Sequence, residues 1–211
     1  MSLCWWVAGA LAGPAAPVVE PEPDPAEYRR LSVELEALAA RNAWAGVERT
    51  FQELLATGVE PSYGDWMRGA ESARLSGDIQ EVYLRLMSAK DRSDDNRTAV
   101  DWLWDLDHRY GTVFLACDAG SNIVLEAEQI PFDPDQARAI AFAQERVRTS
   151  CLYQGRLPGG VYHFYTHTIE VEPLLQSTYV DLRGTSIPRS RRRELKRAWA
   201  EQDQAATSDG S

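Results

Sequence analysis

Three groups of residues in this chain have the types and spacing that chemistry needs. His163 and His167 are four apart, with Tyr165 between them. On an unbroken strand such residues share a face. Two imidazoles on one face are two ligands of a metal site, and Glu170 or Glu172 is the nearest third. Asp101, Asp105 and His108 form the second group, at i, i+4 and i+7. On a helix that spacing gathers two carboxylates and an imidazole, which could hold a metal or move a proton. A plainer reading stands beside each: a solvated helix face, and an exposed strand face rich in histidine and tyrosine. His-x-x-x-His is a ligand signature on a helix with further ligands, so no metal and no cofactor is assigned. The sequence has no GxSxG, HExxH, Walker loop or glycine-rich nucleotide turn, and the chain is read as non-enzymatic.

The third group is the cysteines, Cys4, Cys117 and Cys151. No CxxC pair and no Cys/His ligand spacing accompanies them, which argues against a zinc ribbon. Cys4 lies in an uncharged apolar segment, 3–16, with an A-x-A site at Ala10-Leu11-Ala12. That is the pattern of a secretory h-region and cleavage site, although no basic residue precedes it. Cleavage after Ala12 would leave Cys117 and Cys151 as an even pair, a candidate disulfide in an oxidising space. Two buried thiols acting as small apolar residues are the other reading.

The elements that must position these groups are legible in order. Residues 1–16 read as a signal peptide, and 17–25, PVVEPEPDP, as an extended linker of proline and acid. Residues 26–110 read as a helical-repeat domain. Tyr28, Leu31, Leu35 and Leu38 mark one helix from Pro25, and Val47, Phe51, Leu54 and Leu55 a second from Trp44. Gly58 and Pro61 end that pair, and Gly77 then separates a third helix from a fourth capped by Asp78. A fifth helix, about Asn96 to Tyr110, can cover the stack. Residues 111–188 read as a small β-rich domain: strands at 112–117 and 123–128, and a helix at about Pro134 to Arg148. Strands at Cys151–Gln154, Val161–Tyr165 and Thr168–Glu172 follow, with a turn over 155–160. Residues 189–211 read as a short basic helix, Ser190 to Gln202, and a tail. The fold class is α+β, a short helical-repeat layer followed by a small β-rich domain with one packed helix.

Tyr28 onward laid over Tyr63 onward matches residues of like kind at an offset of 35: Leu31 with Trp66, Leu38 with Ala73, Val47 with Val82, Phe51 with Leu86. A period of that size with two helices is the mark of a stacked repeat. Trp66, Gly69, Ala70, Ala73, Val82, Leu86 and Ala89 resemble the tetratricopeptide pattern of large, small and aromatic positions. Leu35 and Val47 depart from it, standing where small residues are usual. The resemblance covers about 26–91 and implies a concave surface that takes a peptide or helix. The GVEP turn at 58–61 resembles that of pentatricopeptide repeats, which bind RNA. Leu157 to Phe164, LPGGVYHF, resembles the turn of transthyretin-like and carboxypeptidase-regulatory-like β-sandwiches, which implies a non-catalytic binding or spacer module.

The formal net charge is −10, which argues against nucleic acid as the main partner. Residues 183–197 alone carry +6, leaving the rest at −16. The basic segment is expected to meet the chain's own acidic body through Leu195 and Trp199, or anionic lipid. The resulting expectation is a protein-binding adaptor or scaffold of the bacterial cell envelope, periplasmic or secreted. Trp44, Tyr63, Trp66 and Tyr83 are its candidate binding surface, although stacked helices need such aromatics for their core. The alternatives are a metal-binding accessory or hydrolase-like enzyme built on His163, His167 and the Asp101 face, and an RNA-binding repeat. A cytoplasmic protein with a disordered N-terminal arm is the alternative for location.

Overall fold

A computed structural model of the chain describes residues 23–174 and 177–184. The expected leader, most of the linker and the basic segment at 189–211 lie outside the described residues. The architecture is α+β. In chain order it runs α1 (Pro25–Ala40), α2 (Trp44–Ala56), α3 (Tyr63–Ser76), α4 (Ile79–Lys90), α5 (Arg97–Arg109) and β1 (Tyr110–Ala116). It continues with β2 (Leu125–Ala127), α6 (Pro134–Ser150), β3 (Leu152–Pro158), β4 (Gly160–Phe164), β5 (His167–Val171) and β6 (Thr178–Asp181).

The helices begin and end where side chains can satisfy their free backbone groups. Asp24 accepts from the Ala26 and Glu27 amides, and Asp78 from Glu81. Ser62 and Asp65 form a reciprocal capping box at the start of α3. Gly77 closes α3 in the left-handed conformation, at φ 87°. Asp133 caps α6 through the Asp135 amide, with Pro134 in the first turn.

α1 packs on α2, α3 on α4, α2 on α3, and α5 covers α4. Leu31, Leu35, Val47, Phe51 and Leu54 form the core of the first helix pair. Ala70, Ala73, Val82, Leu86, Leu103 and Leu106 belong to the core of the second pair and its cover. Gly69 is needed where these pairs meet, because a Cβ there would lie 2.7 Å from the Phe51 ring.

The strands among the described residues form two three-stranded sheets, ordered β3-β1-β6 and β2-β4-β5. β1 is antiparallel to β3 and parallel to β6. β2, β4 and β5 are antiparallel throughout. Val113, Leu115, Tyr153 and Leu157 of the first sheet share a core with Leu125, Tyr162, Phe164 and Ile169 of the second. Ile140, Ala143 and Val147 of α6 complete it.

Three expectations change. The turn placed over 155–160 is instead mostly strand, since β3 runs on to Pro158. Tyr110 to Val113 of β1 need ladder partners, and residues 155–158 supply them. The boundary placed after residue 110 falls inside β1, where α5 passes directly into the strand and Tyr110 joins the helical core. The two parts are also joined by packing, with Ala139 of α6 in the helical core. Arg156 of β3 lies over the Tyr83 ring at 3.8 Å and reaches Asp107 at 2.9 Å. Finally, the histidines do not share an unbroken strand. The chain reverses at Tyr165, φ 61°, and Thr166, which ends β4 one residue after His163.

Candidate functional site

The hairpin sets His163 opposite Thr168 and His167 opposite Phe164, so the two imidazoles occupy different register positions on two strands. A threonine hydroxyl lies near each ring: Thr168 at 3.4 Å from His163, Thr166 at 3.5 Å from His167. On α5, Asp101 pairs with Arg97 at 3.8 Å and Asp105 with Arg109 at 3.1 Å. His108 stacks on Trp104 with ring centroids 3.8 Å apart. Its Nδ1 lies 2.7 Å from the Trp104 carbonyl, to which it donates. The three residues therefore face their own neighbours rather than a common point. Among the described residues, no group of three or more His, Cys, Asp or Glu is placed to hold a metal.

Trp44, Tyr63, Trp66 and Tyr83 are all half-buried. Trp44 packs on the first core, Tyr63 and Tyr83 on the second, and Trp66 on both. Trp66 meets Phe51 edge-on at 5.4 Å, and the Tyr83 face is taken by Arg156.

Cys117 and Cys151 are joined in a disulfide with their Cα atoms 5.1 Å apart. Cys117 follows β1, and Cys151 turns the chain from α6 into β3 at φ 53°. The Cys117 amide donates to the Cys151 carbonyl at 2.8 Å, so the bridge sits at the end of the β1–β3 ladder.

Sequence reasoning missed two buried polar networks in the helical layer. Asp65 is fully buried. It accepts from Tyr28 at 2.8 Å, Ser32 at 2.9 Å, the Ser62 hydroxyl at 2.6 Å and, less closely, Arg68. Arg85, only 2% exposed, donates to both oxygens of Glu48 at 2.7 Å, to the Gly69 carbonyl at 2.7 Å and to Glu81 at 2.9 Å. Its guanidinium also lies 4.6 Å from the centre of the Phe51 ring. Burial works to raise the Glu48 carboxyl. Hydrogen bonds from Arg85, Ser72 and Gln52 outweigh burial and bring it down to about 2. These carboxylates and cations join the helices to one another. The Ser-x-x-Asp capping spacing at 62–65 was the one signal that could have found Asp65. Arg85 had none, because a lone arginine in an amphipathic helix reads as surface.

A cleft adjoins the second sheet. It encloses about 520 Å³ between the loop Glu128–Phe132, Gln136 and the strand start Gly159–Tyr162. Phe132 is 108% exposed and Ile130 71%. Val161 and Glu128 line it from the sheet side, joined by the Glu128 amide donating to the Val161 carbonyl at 2.9 Å. The cleft offers a hydrophobic wall, backbone polar groups and a carboxylate, which is equipment for holding a ligand. A second cleft, of about 370 Å³ between α4, α6 and β3, contains Asp78. Burial holds that carboxyl above its usual range. Asp78 already caps α4, and a structural duty accounts for it.

No protein-family model matches the chain, and no curated protein or solved structure is similar enough to match it.

Proposed function

We propose that this protein is a non-enzymatic, protein-binding adaptor of the cell envelope. The observation that carries this reading is the apolar rim of the cleft beside the second sheet. A phenylalanine and an isoleucine stand almost free in solvent on one short loop, next to a concave surface. Large apolar groups left out of the core beside a cleft mark a surface that binds. The helical layer, held together by the Asp65 and Arg85 networks, serves as a rigid support. The Cys117–Cys151 bridge supports a location in an oxidising compartment.

The test is photo-crosslinking in intact cells followed by fractionation. A photoreactive residue replaces Phe132 in one sample and the exposed Val33 of α1 in another. A recurrent protein adduct of defined mass in the envelope fraction is the expected result. Adducts at neither position would end the adaptor reading, and adducts confined to the soluble cytoplasmic fraction would end the envelope assignment.

A further inference from the structure

The outer face of the β2-β4-β5 sheet shows what kind of partner the cleft would take. One face of this sheet is core: Leu125 on β2, Tyr162 and Phe164 on β4, and Ile169 and Val171 on β5 are all buried. Residues alternate along a strand, so the intervening ones form the opposite face. Register places Val161 across from Glu170, and the Glu128 amide bonds the Val161 carbonyl from the other side. Glu128, Val161 and Glu170 therefore make one row across three strands. Glu126, His163 and Thr168 make the next row. Glu126, Glu128 and Glu170 are exposed. Among the described residues none of the three has an ion-pair partner. The arginines that reach the start of α6 are already engaged: Arg109 with Asp133, Arg74 and Arg138 with Asp135.

We infer that this face binds an extended segment of another protein, one that carries a large apolar side chain next to lysine or arginine. The apolar side chain enters the cleft against Ile130, Phe132 and Val161. The flanking cation sits over Glu128 or Glu170, which stand on either side of Val161. Across-strand neighbours are about 5 Å apart, so one cation can reach a carboxylate while its neighbour fills the cleft. Charge complementarity selects this occupant: an acidic segment would add a like charge to a row that, among the described residues, has no cation. The inference rests on the adaptor reading and gives it a partner chemistry.

Three fluorescein-labelled peptides test it by anisotropy with the full chain. They are Gly-Arg-Phe-Lys-Leu-Gly, its charge-reversed form Gly-Glu-Phe-Glu-Leu-Gly, and Gly-Arg-Ser-Lys-Ser-Gly, which lacks the apolar side chains. The first should bind about tenfold more tightly than either control, and less tightly as salt is raised. Phe132→Ser and the pair Glu128→Gln with Glu170→Gln alter exposed side chains, so the fold should survive, as circular dichroism can verify. Each change should weaken the first peptide about fivefold or more, and the double charge change should flatten its salt dependence. The inference is overturned if no peptide binds or if the acidic peptide binds as well as the basic one. Binding that persists unchanged in the variants overturns it too. Should crosslinks from Val33 still capture a partner in cells, the adaptor reading stands and this face is not its site.

Discussion

At the scale of single residues, the helical layer depends on groups whose removal strands their partners. Asp65→Ala would leave the Tyr28 and Ser32 hydroxyls without their acceptor at the α1–α3 contact. Breaking such a buried network costs about 3–5 kcal/mol, which denaturant unfolding would register as a lower midpoint with an unchanged slope. Trp66→Ala removes the ring that touches both helical cores and should cost about 3 kcal/mol. A melting temperature that barely moved would contradict that packing. Glu48 adds a pH dependence of definite sign. Its folded pKa, about 2, is below the ordinary 4.5, so its stabilisation is complete above pH 4.5 and is lost as pH falls towards 2. Thermal melts of Glu48→Gln should accordingly differ from the wild type at neutral pH, with the gap closing through that acid window. The residues behind these effects were hard to read in sequence for a common reason. A polar side chain in an amphipathic helix looks solvent-facing until the neighbouring helix is known, and Arg85 is buried only because Glu48, Gly69 and Phe51 come from other turns of the stack.

At the scale of elements, helices were legible where punctuation was local. Asp24-Pro25, Ser62, Gly77-Asp78 and Asp133-Pro134 each announce a helix end by chemistry within a few residues. The strands were legible as apolar runs but not as sheets. β1 and β2 are near in sequence, yet they belong to different sheets, because β1 pairs with strands that come much later. The extent of β3 was hidden by Gly155, Pro158 and Gly159, which look like a turn. Gly155 is in fact required in the strand because the Tyr153 side chain lies over it, its hydroxyl oxygen 2.6 Å from where a Cβ would be. The cleft was invisible for the same reason as the sheets: its two walls are brought together only by pairing. Two elements carry testable weight. The disulfide closes a loop with a sequence separation of 34. On the chain-entropy account it contributes about 3–4 kcal/mol, so unfolding with and without reductant should differ by that much. Gly77 joins α3 to α6, since its φ of 87° suits glycine and a Cβ would strike the Arg138 carbonyl. Gly77→Ala should destabilise by more than about 1 kcal/mol through both effects, as measured by its unfolding midpoint.

At the scale of the whole molecule, the layers are tied too closely to unfold one after the other. β1 leaves α5 with no linker, so melting the helix frees the first residue of the strand. Arg156 is a bridge from β3 to the helices, 13% exposed and bonded to Asp107 while stacked on Tyr83. Two further ion pairs, Arg74–Asp135 and Arg109–Asp133, and the burial of Ala139 fix the start of α6 to α3 and α5. Exposed pairs contribute little singly, but together with Arg156 they make separation of the layers expose buried polar and apolar groups at once. Unfolding should therefore be a single transition. Trp44, Trp66, Trp102 and Trp104 report on the helical layer, provided Trp5, Trp6 and Trp199 are changed to Phe. The amides of Tyr153 and Tyr162 report on the sheets, where both residues are buried. Tryptophan emission and hydrogen exchange at those two amides should give the same stability. Reducing the Cys117–Cys151 bridge, which lies wholly among the strands, should lower the tryptophan midpoint as well. Arg156→Ala should lower both measures by an amount equivalent to about 2 kcal/mol. A tryptophan transition that ignored the reductant would mean that the helices fold without the sheets. The cleft's two walls would then no longer depend on the helical layer for their rigidity.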